Sequence, residues 1–75
     1  MLWQDYISSD PKVMLGKPVI KGTRITVELI IERLGSGQTI EDILISYPHI
    51  TNAGILACLQ YAASVLKNDL VYEMA

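Results

Sequence analysis

Lys12, Lys17, Lys21 and Arg24 are the only charged residues between Pro11 and Arg24, so one short segment could neutralise several phosphates of a nucleic acid. From Ile25 to Ala75 the balance reverses, with Glu28, Glu32, Glu41, Asp42, Asp69 and Glu73 set against Arg33 and Lys67. Across the whole chain the net charge is −2 and the pI about 5.1, which disfavours a protein that coats nucleic acid by bulk electrostatics. A solvated loop carrying ordinary surface lysines is the competing reading of the same run. Arg24 has an alternative of its own: between Thr23 and Ile25 its guanidinium could clamp a carboxylate or the carbonyls at a helix end.

Other reactive side chains form no constellation. Cys58 is the one cysteine and His49 the one histidine, so neither a disulfide nor a zinc site at ligand spacing can be built within the chain. Cys58 sits amid Leu56, Ala57 and Leu59 with no neighbouring cation to lower its pKa, and reads as a small core residue. His49 follows a proline in a turn, where solvation or a local hydrogen bond is the ordinary outcome. Glu41 and Asp42 are adjacent and would point in different directions from a helix, so they read as first-turn acids rather than as a general acid/base pair. Gly16 to Ile25 lacks the Gly-Lys-Ser/Thr ending of a phosphate-binding loop. The expectation is a binding protein with no cofactor, no metal and no enzymatic activity.

These residues need elements to position them. The chain reads as a single domain, 1–75, made of an extended or hairpin segment (5–25), a three-helix unit (26–67) and a C-terminal tail (68–75). Around Lys21-Gly22 lie two β-prone pieces, Val19-Ile20 and Thr23 to Ile25, which suit a tight hairpin or a bent extended segment. Thr26 is a competent N-cap for a first helix with Glu28 in its first turn. Val27, Ile30, Ile31 and Leu34 mark its buried face, and Gly35-Ser36-Gly37 ends it. Thr39 and Asp42 have capping-box spacing for a second helix buried through Ile40, Ile43, Leu44 and Tyr47, which Pro48 stops. Thr51 caps a third helix running to about Lys67, with Ile55, Leu59, Ala62 and Leu66 as its buried stripe. Cys58, Tyr61 and Val65 make a second apolar side, and Ala53, Ala57, Gln60, Ser64 and Lys67 a narrow polar one.

The fold class predicted is mainly α: a three-helix helix-turn-helix bundle preceded by a short β-hairpin or extended segment. On that layout the third helix is the reader, and Thr51, Asn52, Ala53 and Ala57 would approach base edges. Asn52 could recognise adenine, although an asparagine at a helix start more often caps. The candidate DNA-binding set is therefore Lys17, Lys21, Arg24, Thr51 and Asn52. The chain is 51% hydrophobic with a mean hydropathy of +0.33, a surplus for a small domain that points to oligomerisation. Trp3 and Tyr6 before the domain, Tyr61 and Val65 on the third helix, and Leu70 and Tyr72 after it are candidates for a partner or dimer interface. For Trp3, Tyr6 and the tail, packing back on the chain's own core is the competing outcome. Glu28, Glu32, Glu41 and Asp42 interrupt every apolar run before membrane-span length, and no basic n-region precedes an apolar block, so a cytoplasmic protein is expected.

The order Gly16-Lys17-Pro18-Val19-Ile20-Lys21-Gly22-Thr23-Arg24-Ile25, followed by Gly37-Gln38-Thr39-Ile40-Glu41-Asp42-Ile43-Leu44 and Tyr47-Pro48-His49-Ile50-Thr51, resembles the family called domain of unknown function 433 over roughly residues 5 to 67. The resemblance implies a homeodomain-like or winged-helix-like fold in a short prokaryotic protein, often encoded beside a PIN-like nuclease as its proposed antitoxin. The function expected is thus a dimeric, non-enzymatic antitoxin-like partner of such a nuclease that also contacts its own promoter; a protein-interaction module without DNA binding is the alternative. Two positions depart from the family pattern: Thr26 stands where proline is usual, and Asn52-Ala53-Gly54 where acidic residues are usual. Gly54 should weaken the first turn of the third helix by about 1 kcal/mol relative to alanine.

Overall fold

The computed structural model describes residues 2–69. Two antiparallel strands, β1 (Ile7–Ser8) and β2 (Val19–Ile20), precede three helices, α1 (Val27–Gly35), α2 (Ile40–Ser46) and α3 (Asn52–Asp69). Ile7 lies opposite Ile20, and Ser8 opposite Val19. The strand partner of Val19-Ile20 is therefore the upstream Ile7-Ser8, which lacks any turn signal in its favour. The downstream piece, Thr23 to Ile25, closes the tight bend predicted around Lys21-Gly22 and leads into an antiparallel bridge of Thr26 with Val19: Ile20 N–H donates to the Ile25 carbonyl, Thr23 N–H to the Ile20 carbonyl and Val27 N–H to the Pro18 carbonyl, each at 3.0 Å. Gly22 takes a φ of +78° in that bend, a conformation glycine adopts without a side-chain penalty. A second irregularity comes earlier, where Met14, Leu15 and Gly16 all have positive φ (49°, 58° and 84°) and leave Leu15 93% exposed.

All three helix starts carry the caps that local chemistry predicts. Thr26 Oγ1 accepts from Leu29 N–H at 3.0 Å, and Thr51 Oγ1 from Gly54 N–H at 3.1 Å. At α2 the box is reciprocal: Asp42 N–H donates to Thr39 Oγ1 (3.1 Å) while Asp42 Oδ2 accepts from Thr39 N–H (2.9 Å). The shorter aspartate thus replaces the usual glutamate without losing either bond. Each helix places an isoleucine in the fully buried core, Ile30, Ile43 and Ile55, joined by Ile7, Ile20, Ile25, Val27, Ile50, Ala57 and Cys58.

The phase of α3 differs from the sequence expectation. Ile55 is buried as predicted, but Leu59 and Leu66 are 41% and 58% exposed, while Ala57, placed on the polar side and offered as a base reader, is wholly buried. Small residues explain the rotation. Gly54, Ala57 and Cys58 let α3 approach its neighbours closely, and a Cβ on Gly54 would lie 3.6 Å from Ile20 Cγ2. That is ordinary van der Waals distance, so Gly54→Ala should add helix propensity and a methyl contact without a clash. Stability is expected to rise by about 0.5 to 1 kcal/mol, moving the midpoint of a thermal melt upward by several degrees. A lower midpoint would show that Ile20 cannot accommodate the methyl.

Candidate functional site

α3 has 18 residues and α1 has 9, so α3 runs roughly 27 Å against about 14 Å and its C-terminal half outreaches its neighbour. Over the inner turns Ile55 and Cys58 meet the core. One turn on, the same side presents Tyr61, Ala62 and Val65, and small Ala62 leaves space between its larger neighbours. Together with Leu66, with Thr26, with Val27, Glu28, Ile31 and Glu32 of α1, and with Lys17-Pro18, they line a groove of about 410 Å³. Its walls are apolar and its charges sit at the rim. Lys17 Nζ meets Glu28 Oε1 at 3.1 Å, an exposed pair worth little in stability, which among the described residues leaves Glu32 as the unpaired charge beside it. Tyr61 is held from behind by Trp3, ring centroids 4.8 Å apart and planes at 79°, an edge-to-face contact.

The four cations of the basic run do not form one surface. Lys17 belongs to the groove rim. Lys21 lines a separate depression of about 250 Å³ with Asp5, Tyr6, His49, Thr51 and Gly54 at the N-terminus of α3, beside exposed Asn52. Arg24 lines a third, with Ser8, Asp10, Val13 and Val19, and among the described residues it makes neither a carboxylate clamp nor a helix-end contact. Lys12 is exposed, its backbone N–H donating to Asp10 Oδ1 at 2.9 Å. Of the DNA-binding candidates, then, Lys21 and Thr51 share one depression, with Asn52 the next residue along the chain, while Lys17 and Arg24 line two others.

Among the interface candidates, Tyr61 and Val65 share the groove, whereas Trp3 and Tyr6 pack on the chain's own core. Leu70 and Tyr72 lie outside the described residues. The groove residues missed by sequence reasoning are Pro18, Thr26, Val27, Glu28, Ile31, Glu32, Ala62 and Leu66, and the usable signal was the unequal length of α1 and α3. No helix of the described residues is long and apolar enough to cross a membrane, and no group of three or more His, Cys, Asp or Glu among them could hold a metal ion.

Cys58 is buried, and desolvation pushes its thiol up to about 11 from an ordinary 9.0. Because the folded value is the higher one, the thiol's contribution to stability is complete below pH 9 and is lost as pH rises through about 11. Native protein at pH 8 should react with a thiol-specific disulfide reagent far more slowly than urea-unfolded protein; equal rates would contradict this burial.

A family model described as protein of unknown function, DUF433, matches residues 7–62. The chain belongs to this family. Among curated proteins no sequence matches it. A crystal structure of a DUF433 member from Anabaena variabilis superimposes with a TM-score of 0.80 at 26% identity, covering 87% of this chain and 64% of that one. The chain therefore spans somewhat less than two thirds of that relative. The family match begins after Trp3 and Tyr6, so the aromatic support of Tyr61 comes from outside the matched region.

Proposed function

We propose that this DUF433 chain is a non-enzymatic, helix-turn-helix-type protein of the cytoplasm, the antitoxin-like partner of a PIN-like nuclease, and that it receives an apolar segment of that nuclease in the α1–α3 groove. The groove carries the reading: an open apolar channel beside α3, with Tyr61 held in place by Trp3, supplies the aromatic anchor around which protein interfaces concentrate their energy. Glu32, the rim acid that Lys17 does not pair with, favours a segment flanked by lysine or arginine. The test is calorimetric titration against the product of the neighbouring nuclease-like gene. Val65→Asp, which places a charge on the groove wall, should weaken binding by about a hundredfold or more while leaving the helical circular dichroism intact. Unaltered affinity would remove the groove from the interface, and absence of binding by the parent would sink the partnership.

DNA contact, serving autoregulation, is supported by one arrangement: Lys21 and Thr51 line a depression at the N-terminus of α3, where backbone N–H groups favour an anion, and exposed Asn52 follows Thr51 in the chain. Lys21→Ala should then weaken promoter binding for all sequences alike and flatten its dependence on log salt by about one unit of slope. No affinity of the parent for promoter DNA at low salt would leave the protein-interaction module alone standing.

A further inference from the structure

Among the described residues, α3 carries a second apolar seam outside the buried core, sharing only Leu66 with the groove. Leu56, Leu59 and Leu66 are 37%, 41% and 58% exposed, and Ala63 is exposed between them. Their spacing of three, four and three residues is that of the a and d positions of a coiled coil, and at 100° per residue they form one ridge that flanks Ile55 and points away from Cys58. We infer that this ridge is the surface on which a second copy of the chain packs, α3 against α3 in antiparallel orientation about a two-fold axis at the level of Tyr61.

Three properties select a second copy. The ridge is symmetric about Tyr61: reversed, it sets Leu56 against Leu66 of the other copy, and Leu59 against Ala63. Each large side chain at the centre thus meets a small one, the alternation that lets two helices interdigitate. From Asn52 to Leu66 the helix has no charged residue, so identical surfaces meet without like-charge repulsion, and antiparallel packing opposes the two helix dipoles. A two-fold contact of this kind is self-complementary by construction. Leu66 also lines the groove, but Leu56, Leu59 and Ala63 lie outside it, and the test falls on Leu59 and Ala63, so the dimer does not rest on the nuclease reading.

Sedimentation equilibrium on the full chain tests it. The parent should be dimeric at about 100 µM, whereas Leu59→Lys and Ala63→Glu should each shift dimerisation by about a hundredfold or more toward monomer, with unchanged helical circular dichroism. Mixing those two variants should restore a one-to-one dimer, since the antiparallel register sets the new lysine against the new glutamate; a parallel pairing would not. Should either charged variant fail to fold, Leu59→Gln is the milder probe and should still weaken the dimer. A monomeric parent at that concentration, a Leu59→Lys or Leu59→Gln protein as dimeric as the parent, or a mixture that stays monomeric would overturn the proposal. Nuclease binding is scored separately through Val65→Asp, so the two readings fail by different measurements.

Discussion

Ile43→Ala is expected to cost about 2 to 5 kcal/mol, and Ile45→Ala, the same change two residues along the same helix, less than about 0.5 kcal/mol. Ile43 is fully buried and Ile45 is 78% exposed, so only the first deletion leaves a cavity. A chain of this length commands roughly 4 to 11 kcal/mol in total, and the larger loss would bring it close to unfolding at 37 °C. Urea denaturation separates the outcomes. The midpoint of Ile43→Ala should fall sharply at an unchanged slope, and similar losses for the two variants would mean that the core does not sit where Ile30, Ile43 and Ile55 place it.

The second large effect is expected from Trp3→Ala. Trp3 is half-buried against α3, and its ring meets Tyr61 edge to face, so its removal strips apolar contact and an aromatic pair together. A loss of about 2 to 3 kcal/mol is expected, below the range for a fully enclosed tryptophan because part of the ring is already in water. Trp3→Phe should recover much of it. Tyr61 also lines the groove, so Trp3→Ala should weaken partner binding even where the fold survives, by leaving the anchor unsupported. A Trp3→Ala protein as stable as the parent would return Trp3 to the role of a free interface residue.

What could be read from the amino-acid order was whatever a few neighbouring residues decide among themselves. Thr26, Thr39 with Asp42, and Thr51 each cap a helix through a bond to the third residue on, and all three form as the spacing implies. The rotation of α3 was hidden because that helix is apolar on more than one side, so periodicity alone allowed Leu59 and Leu66 to be placed inside. Gly54, Ala57 and Cys58, which contribute little to a hydrophobic pattern, set the rotation by permitting close approach. Long-range pairing was equally out of reach: nothing near Ile7 signals that its partner is Ile20, and nothing near Trp3 points to Tyr61. The basic run shows the same limit at the candidate site. Lys17, Lys21 and Arg24 are close in sequence, yet strand β2 and the bend after it set them in three different depressions, and only Lys21 reaches the start of α3.

The pairing of Trp3 with Tyr61 also orders events during synthesis. On a ribosome Trp3, Tyr6 and Ile7 are made well before the helix that covers them. Until most of α3 has been translated, those aromatic and aliphatic side chains have no native surface to rest on, and α1 and α2 lack the helix that both pack against. Folding of this domain is thereby deferred to the completion of its final helix, and a nascent chain halted before Tyr61 would present its hydrophobic N-terminal segment to chaperones and proteases.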